Sequence, residues 1–185
     1  SLQSELLSQG VYGPEQQGRY LAHMAEASRT AVRQMSDVVW GLNSSANADD
    51  TLATLLERLR EHAHDVLPAA GLEIDFVTEL GLEAVPLPLA SRQALYLIYK
   101  EALHNAVKHA KGATEVCIRL HRIGMALWLE VRDNGPAVVE ESQGSRGLGG
   151  NGLRNMQARA ESVGGTVLYN SDGAGFGVVA TLPLS

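Results

Sequence analysis

The stretch KEALHNAVKHA, residues 100–110, places two lysines, two histidines, a glutamate and an asparagine in eleven positions that favour a helix. Its small and apolar residues set its orientation. At about 100° per residue, Leu95, Ile98, Ala102, Ala106 and Ala110 fall on one side, the core side of a helix predicted over 91–110. Glu101, Asn105 and Lys108 then cluster on one flank, a turn apart, where side chains line a cleft beside a sheet. His109 falls between that flank and the core, and His104 points away from the core into solvent.

The histidines do not have zinc spacing. One helix presents two histidines to a metal at a separation of three or four, whereas His104 and His109 are five apart, roughly 140° around the helix, and His62 and His64 diverge further. Magnesium is a better match for the flank. It takes one or two hard oxygen donors from protein and completes its octahedron with phosphate and water, so the Asn105 carbonyl oxygen is a candidate ligand. Lys108 can meet phosphate as a point charge, and Glu101 can orient a metal-bound water or a reacting hydroxyl. A solvated helix face would carry the same residue types.

Phosphate also needs donors. The run GLGGNGLRNM, residues 147–156, offers backbone amides open to close approach and then a helix start with its partial positive charge. It is neither a Walker loop, which requires GxxxxGK[ST], nor a Rossmann turn, whose glycines directly follow a strand. A flexible loop before a helix would read alike. Asp133 closes the apolar strand ALWLEV ahead of Asn134-Gly135, a carboxylate able to accept from the exocyclic amine of adenine; a plain Asp-Asn-Gly turn is the alternative.

Around these motifs the chain has room for one main core in 185 residues. Its longest apolar run, MALWLEV, is strand-sized, well short of the ~18 residues of a membrane helix, and SLQSELLSQG lacks the pattern of a signal peptide. The expected location is cytoplasmic, with no membrane contact in this piece. A net charge of -6 without a basic cluster argues against nucleic acid as a partner. Cys117 is the single cysteine and reads as a small buried hydrophobe.

Helical spacing from Pro14 to Leu42 (Tyr20, Met24, Ala27, Ala31, Met35, Val38) predicts a helix of roughly 40 Å, long enough to pack against another helix or chain. The linker NSSANADD leads to a second periodic run from Leu52 to Leu67, closed by Pro68 and Gly71. Strands are predicted at LEIDFV, EVCIRL, ALWLEV, GTVLYN and GVVATL, with a helix through Leu153, Met156, Ala160 and Val163. Together these give an α+β sandwich, residues 49–185, preceded by a helical arm, residues 1–48.

In order, EALHN (101–105), DNG (133–135), GGNGL (149–153) and GAGFGVVATLPL (173–184) resemble the N, G1, G2 and terminal boxes of the GHKL or Bergerat-fold ATPases. Within that superfamily, KEALHNAVKHAKGATEV and GNGLRNMQARAESVGG are most similar to sensor histidine kinases of two-component systems that pair with helix-turn-helix response regulators. The resemblance implies a mixed sheet backed by three helices, with ATP between the helices and a lid at about 136–150. By position Asn105 would hold Mg²⁺, Asp133 would read adenine, Gly135 would let the base approach, and Gly149, Gly150, Asn151, Gly152 and Leu153 would close over the phosphates. Glu101, Lys108, His109, Ala137 and Thr181 are further implied contacts, with Glu101, Asn105 and Lys108 forming the catalytic set. The arm would be partial dimerisation helices, forming a homodimer in the intact protein, and the partner a response regulator.

Three positions depart from the family pattern. No acidic-flanked histidine of the phosphoacceptor type is present, His23 lying in YLAHMAEAS; Ala137 replaces a glycine in DNGPA; and Phe176 stands where threonine is common. The implied chemistry is therefore transfer of the ATP γ-phosphoryl to a histidine supplied elsewhere. Other readings are a serine-directed kinase or mechanical ATPase of the same fold, and a non-catalytic nucleotide-binding or dimerisation module.

Overall fold

The computed structural model describes residues 52–136, 152–171 and 175–185, all within the second of the two units, 47–185, into which the chain divides. The helix expected over 14–42, His23, the linker, Ala137, Gly149, Gly150 and Asn151 lie outside the described residues, as does nearly all of the expected lid.

Helix α1 (Leu52–Val66) buries Leu52, Leu55, Leu56, Leu59 and Ala63, the three-four stripe legible in its sequence. Each leucine withdrawn from water in this way contributes about 1.5–3 kcal/mol before the cost of ordering it. Pro68 follows at the start of a short 3-10 turn (Pro68–Ala70), and Gly71 ends it in the left-handed region at φ 76°. The chain then enters strand β1 (Glu73–Thr78). After another 3-10 turn (Leu82–Ala84) comes helix α2 (Leu89–His109), followed by strands β2 (Glu115–Ile123) and β3 (Ala126–Asp133). Helix α3 (Gly152–Glu161) and strands β4 (Thr166–Ser171) and β5 (Phe176–Pro183) complete the described chain.

The five strands form one sheet in the order β1-β2-β3-β5-β4. β1 and β2 run parallel, and every other neighbouring pair is antiparallel. Alternation gives the sheet an inner face of Val116, Ile118, Leu120, Leu127, Leu129, Val131, Val167, Val178, Ala180 and Leu182, all buried. The three helices pack against this face, α1 over β1, α2 over β3 and β5, and α3 over β4 and β5. The predicted α+β architecture of a mixed sheet backed by three helices is the one observed.

Helix α2 is buried on more than its predicted stripe. Leu95, Ile98, Ala102 and Ala106 face the core as expected, and Tyr99 and Leu103 are buried as well. The helix has neighbours on both flanks, α1 and α3. On the α1 side the Tyr99 hydroxyl donates to the Leu59 carbonyl at 2.6 Å, and burial pushes its pKa far above the ordinary phenol value. Arg60 fastens α1 to the sheet edge, donating to Thr78 Oγ1 at 2.9 Å with its guanidinium 5.0 Å from the Phe76 ring centre.

The outer face is polar and mixed. His121 packs against its cross-strand partner Trp128 with ring centres 4.3 Å apart and planes tilted by 37°, and Arg132 pairs with Glu130 at 3.2 Å. Cys117 corrects its sequence reading, because it is half-buried on this face and its thiol lies 3.3 Å from Asp75 Oδ2 as a hydrogen-bond donor. The odd-numbered positions of β2 point away from the core, and its register partner Asp75 points the same way. Burial and that bond hold the thiol above its usual pKa.

Two outcomes follow from this packing. Tyr99→Phe removes a buried donor and should lower unfolding free energy by about 1–2 kcal/mol in equilibrium urea denaturation. Gly175 has φ 132° and a Cβ there would overlap the Asp133 carbonyl, whereas Gly71 has positive φ with open space around it. Gly71→Ala should therefore cost about 1–2 kcal/mol, and Gly175→Ala should cost at least about 1 kcal/mol more because the β3–β5 backbone must also shift.

Candidate functional site

Asp133 is the last residue of β3 and is 6% exposed, one of two polar residues among the buried side chains described, with Ser91. Burial of a carboxylate requires donors, and two backbone N–H groups supply them to the same oxygen. Gly135 donates to Asp133 Oδ1 at 2.9 Å, and Phe176, at the start of β5, donates to it at 3.4 Å. Close passage of β5 across the strand end is possible because residue 175 is glycine. Gly135 is buried, and a Cβ on it would stand 3.0 Å from Asp133 Oδ1 and 3.4 Å from Ala113 Cβ, so glycine keeps the approach to the carboxylate open.

Asn134 points the other way and acts as a clamp. Its Oδ1 accepts from the N–H groups of Thr114 and Glu115 at 2.9 and 3.0 Å, and its Nδ2 donates to Thr114 Oγ1 at 3.0 Å. Its own N–H donates to the Glu115 carbonyl at 3.2 Å. The Asp-Asn-Gly sequence is thus a turn and a site element together: Asn134 ties the end of β3 to the loop after α2, and Asp133 faces inward.

Along α2, Glu101 and Asn105 are half-buried, one turn apart on the flank toward α3. Glu101 meets the first residue of α3, since a Cβ on Gly152 would overlap its carboxylate. The first and third of the sequence boxes are therefore adjacent in space. Lys108 and His109 are exposed at the last turn of α2. His109 does not sit between the flank and the core as its helical angle implied, because it ends the helix and no further turn covers it. Its imidazole is held below the ordinary histidine pKa, first by partial burial and then by the charges of Lys108, His104 and Lys111. His104, expected in solvent, is half-buried.

Two aromatic residues join this wall that the sequence motifs did not single out as a pair. Tyr169 of β4 donates its hydroxyl to the Leu153 carbonyl in the first turn of α3 at 2.6 Å, and its ring stacks on Phe176 with centres 6.4 Å apart and planes 11° apart. Burial raises the Tyr169 pKa, which keeps the hydroxyl a donor. Contacts thus run from Glu101 through Gly152, Leu153, Tyr169 and Phe176 to Asp133. Period-two alternation from Val167 would have put Tyr169 on the inner face, although nothing in the sequence names Leu153 as its partner.

Thr181 is not brought to this wall. It pairs with Trp128 and Thr166, its neighbours Ala180 and Leu182 are the inward residues, and it lies five residues along β5 from Phe176. Among the described residues no group of three His, Cys, Asp or Glu side chains could hold a metal ion. No helix among them is long and apolar enough to cross a membrane.

Comparison with known proteins places this geometry. Residues 90–185, which carry α2, the sheet from β2 onward and α3, match the family described as histidine kinase-, DNA gyrase B-, and HSP90-like ATPase. The sensor histidine kinase MctS of Rhizobium johnstonii is 29% identical over an alignment covering 83% of this chain and 39% of its own length. The sensor histidine kinase DesK of Bacillus subtilis is 26% identical, covering 92% of this chain and 42% of its own. The chain thus spans about two fifths of the length of these curated relatives. Among solved structures, the histidine kinase domain of the blue-light activated kinase from Erythrobacter litoralis EL346 shares the fold, with TM-score 0.57 and 20% identity over 70% of this chain and 61% of that one. With its motifs in family order and its buried carboxylate at the end of β3, the chain belongs to the histidine kinase-, DNA gyrase B-, and HSP90-like ATPases.

Proposed function

We propose that this chain is the ATP-binding catalytic part of a two-component sensor histidine kinase. It would transfer the ATP γ-phosphoryl to a histidine on a dimerisation helix, from which a response regulator is phosphorylated. The observation that carries the reading is the wall of contacts joining Glu101 and the start of α3 to buried Asp133. The named relatives, which are sensor histidine kinases, support the choice within the family. The full protein would act as a cytoplasmic homodimer joined through helices in the 1–48 region.

Asp133 accepts from the exocyclic amine of adenine while its Oδ1 stays fixed by Gly135 and Phe176. The absence of a Cβ at Gly135 would leave room for the base edge beside Asp133. The N-terminus of α3, with Gly152 and Leu153, presents backbone N–H groups toward the phosphates, and by motif order Gly149, Gly150 and Asn151 would be further phosphate contacts. Lys108 and His109 stand at the exposed end of α2 as further phosphate contacts. Ala137 would border the base.

The donor set fits magnesium better than a metal enclosed by protein ligands alone. Asn105 offers one carbonyl oxygen and Glu101 a nearby carboxylate, which suits an ion that keeps waters and phosphate oxygens as its other ligands. Bound Mg²⁺ would supply charge neutralisation across the phosphates. Asn105 would hold the ion, Glu101 would orient a water or the incoming imidazole, and Lys108 would offset charge on the transferring group. A neutral imidazole nitrogen already carries its lone pair, so little general-base strength is needed.

Calorimetry should give saturable Mg-ATP binding to the 185-residue chain, and Asp133→Asn should weaken it at least about 10-fold through loss of a charged acceptor. With a histidine-bearing dimerisation segment added in trans and labelled ATP, phosphotransfer should disappear in Asn105→Ala; transfer that persists there would overturn the assigned roles. Proton NMR of His109 should show a titration midpoint below that of an ordinary histidine. Mg-ADP should raise that midpoint, since phosphate charge favours imidazolium, and an unmoved value would remove His109 from the site.

A further inference from the structure

We propose that Tyr169 is a positioning residue for nucleotide binding, setting the first turn of α3 relative to the carboxylate at the end of β3. The inference rests on the ATP reading above and adds a residue that its motifs do not contain. Three contacts carry it. The Tyr169 hydroxyl donates to the Leu153 carbonyl at 2.6 Å, its ring stacks on Phe176, and the Phe176 N–H bonds the Asp133 carboxylate.

The Leu153 carbonyl belongs to the helix's first turn, so the bond holds the segment whose neighbouring N–H groups face the phosphates. Tyr169 comes from β4, which among the described strands pairs only with β5. Without the hydroxyl, the start of α3 would still touch Glu101 through Gly152, yet it would lose its direct tie to the sheet at Leu153. Phe176 gives the tyrosine ring a partner in the residue next to Gly175, at the point where β5 crosses Asp133. The base-reading end and the phosphate-reading end are consequently linked through two stacked side chains, Tyr169 and Phe176.

The two ends predict different losses. Tyr169→Phe keeps the ring and removes the hydroxyl, so the phosphate end should loosen while the adenine end is unchanged. Binding of Mg-ATP, Mg-ADP and adenosine is measured by competition against a fluorescent nucleotide, using the full chain. In Tyr169→Phe, Mg-ATP and Mg-ADP should each bind about 5-fold more weakly, the loss expected for one hydrogen bond, with adenosine within 2-fold of the unsubstituted protein. Hydrogen exchange of the α3 first-turn amides should also accelerate in the ligand-free variant. Tyr169→Leu should lose at least as much Mg-ATP affinity, and melting temperatures confirm that each variant remains folded. Equal loss for adenosine and Mg-ATP, or unchanged exchange with unchanged Mg-ATP affinity, would overturn the assignment. If the unsubstituted chain itself binds adenosine but gains nothing from the phosphates, the ATP reading fails instead.

Discussion

Two backbone N–H groups, from Gly135 and Phe176, converge on one oxygen of Asp133, and the functional end of the sheet is organised around that convergence. A buried carboxylate with no donors would be costly enough to move or to neutralise. Held in this way it becomes a fixed acceptor at the end of a strand, with its surroundings adapted to it. Gly175 allows β5 to pass close to the Asp133 carbonyl, Gly135 leaves the approach open, and Asn134 fastens the strand end to the loop after α2. Each is a local solution to the same requirement.

Helix α2 turns that fixed point into a site. Tyr99 ties it to α1, Leu103 is buried as well, and the row Leu95, Ile98, Ala102 and Ala106 faces the core. On the flank toward α3 the polar residues Glu101 and Asn105 lie half-buried. Their placement therefore depends on packing around the rest of the helix. Partial burial also matters for chemistry, because electrostatic interactions in a partly desolvated cleft are stronger than they are in water.

The described helices and strands were legible from their periodicity, and the order of the motifs carried the fold family. The wheel alone put Glu101 and Asn105 on one flank, where both are half-buried, whereas Lys108 of the same reading is exposed at the last turn. Tyr99 and Leu103 could not, since a wheel with one core direction misses a helix buried by two neighbours. His109 deviated because angular position says nothing about a helix end. For Thr181 the signal was present: the apolar alternation of Val178, Ala180 and Leu182 already assigns it to the opposite face of β5. The Tyr169 bond to a main-chain carbonyl had no sequence signal, because a backbone acceptor leaves no mark on residue identity.

The strand order has a consequence for synthesis of the protein. β5 lies between β3 and β4, and among the described residues β4 has no other partner in the sheet. A nascent chain that has reached β4 therefore exposes an unfilled edge on β3, and its Asp133 lacks the Phe176 N–H. Only when residues through Pro183 have cleared the ribosome can the ladder close. Emergence of β5 thus closes the described sheet and completes the carboxylate's hydrogen bonding in one event, which makes the interval before it a period of exposure to misassociation and to chaperones.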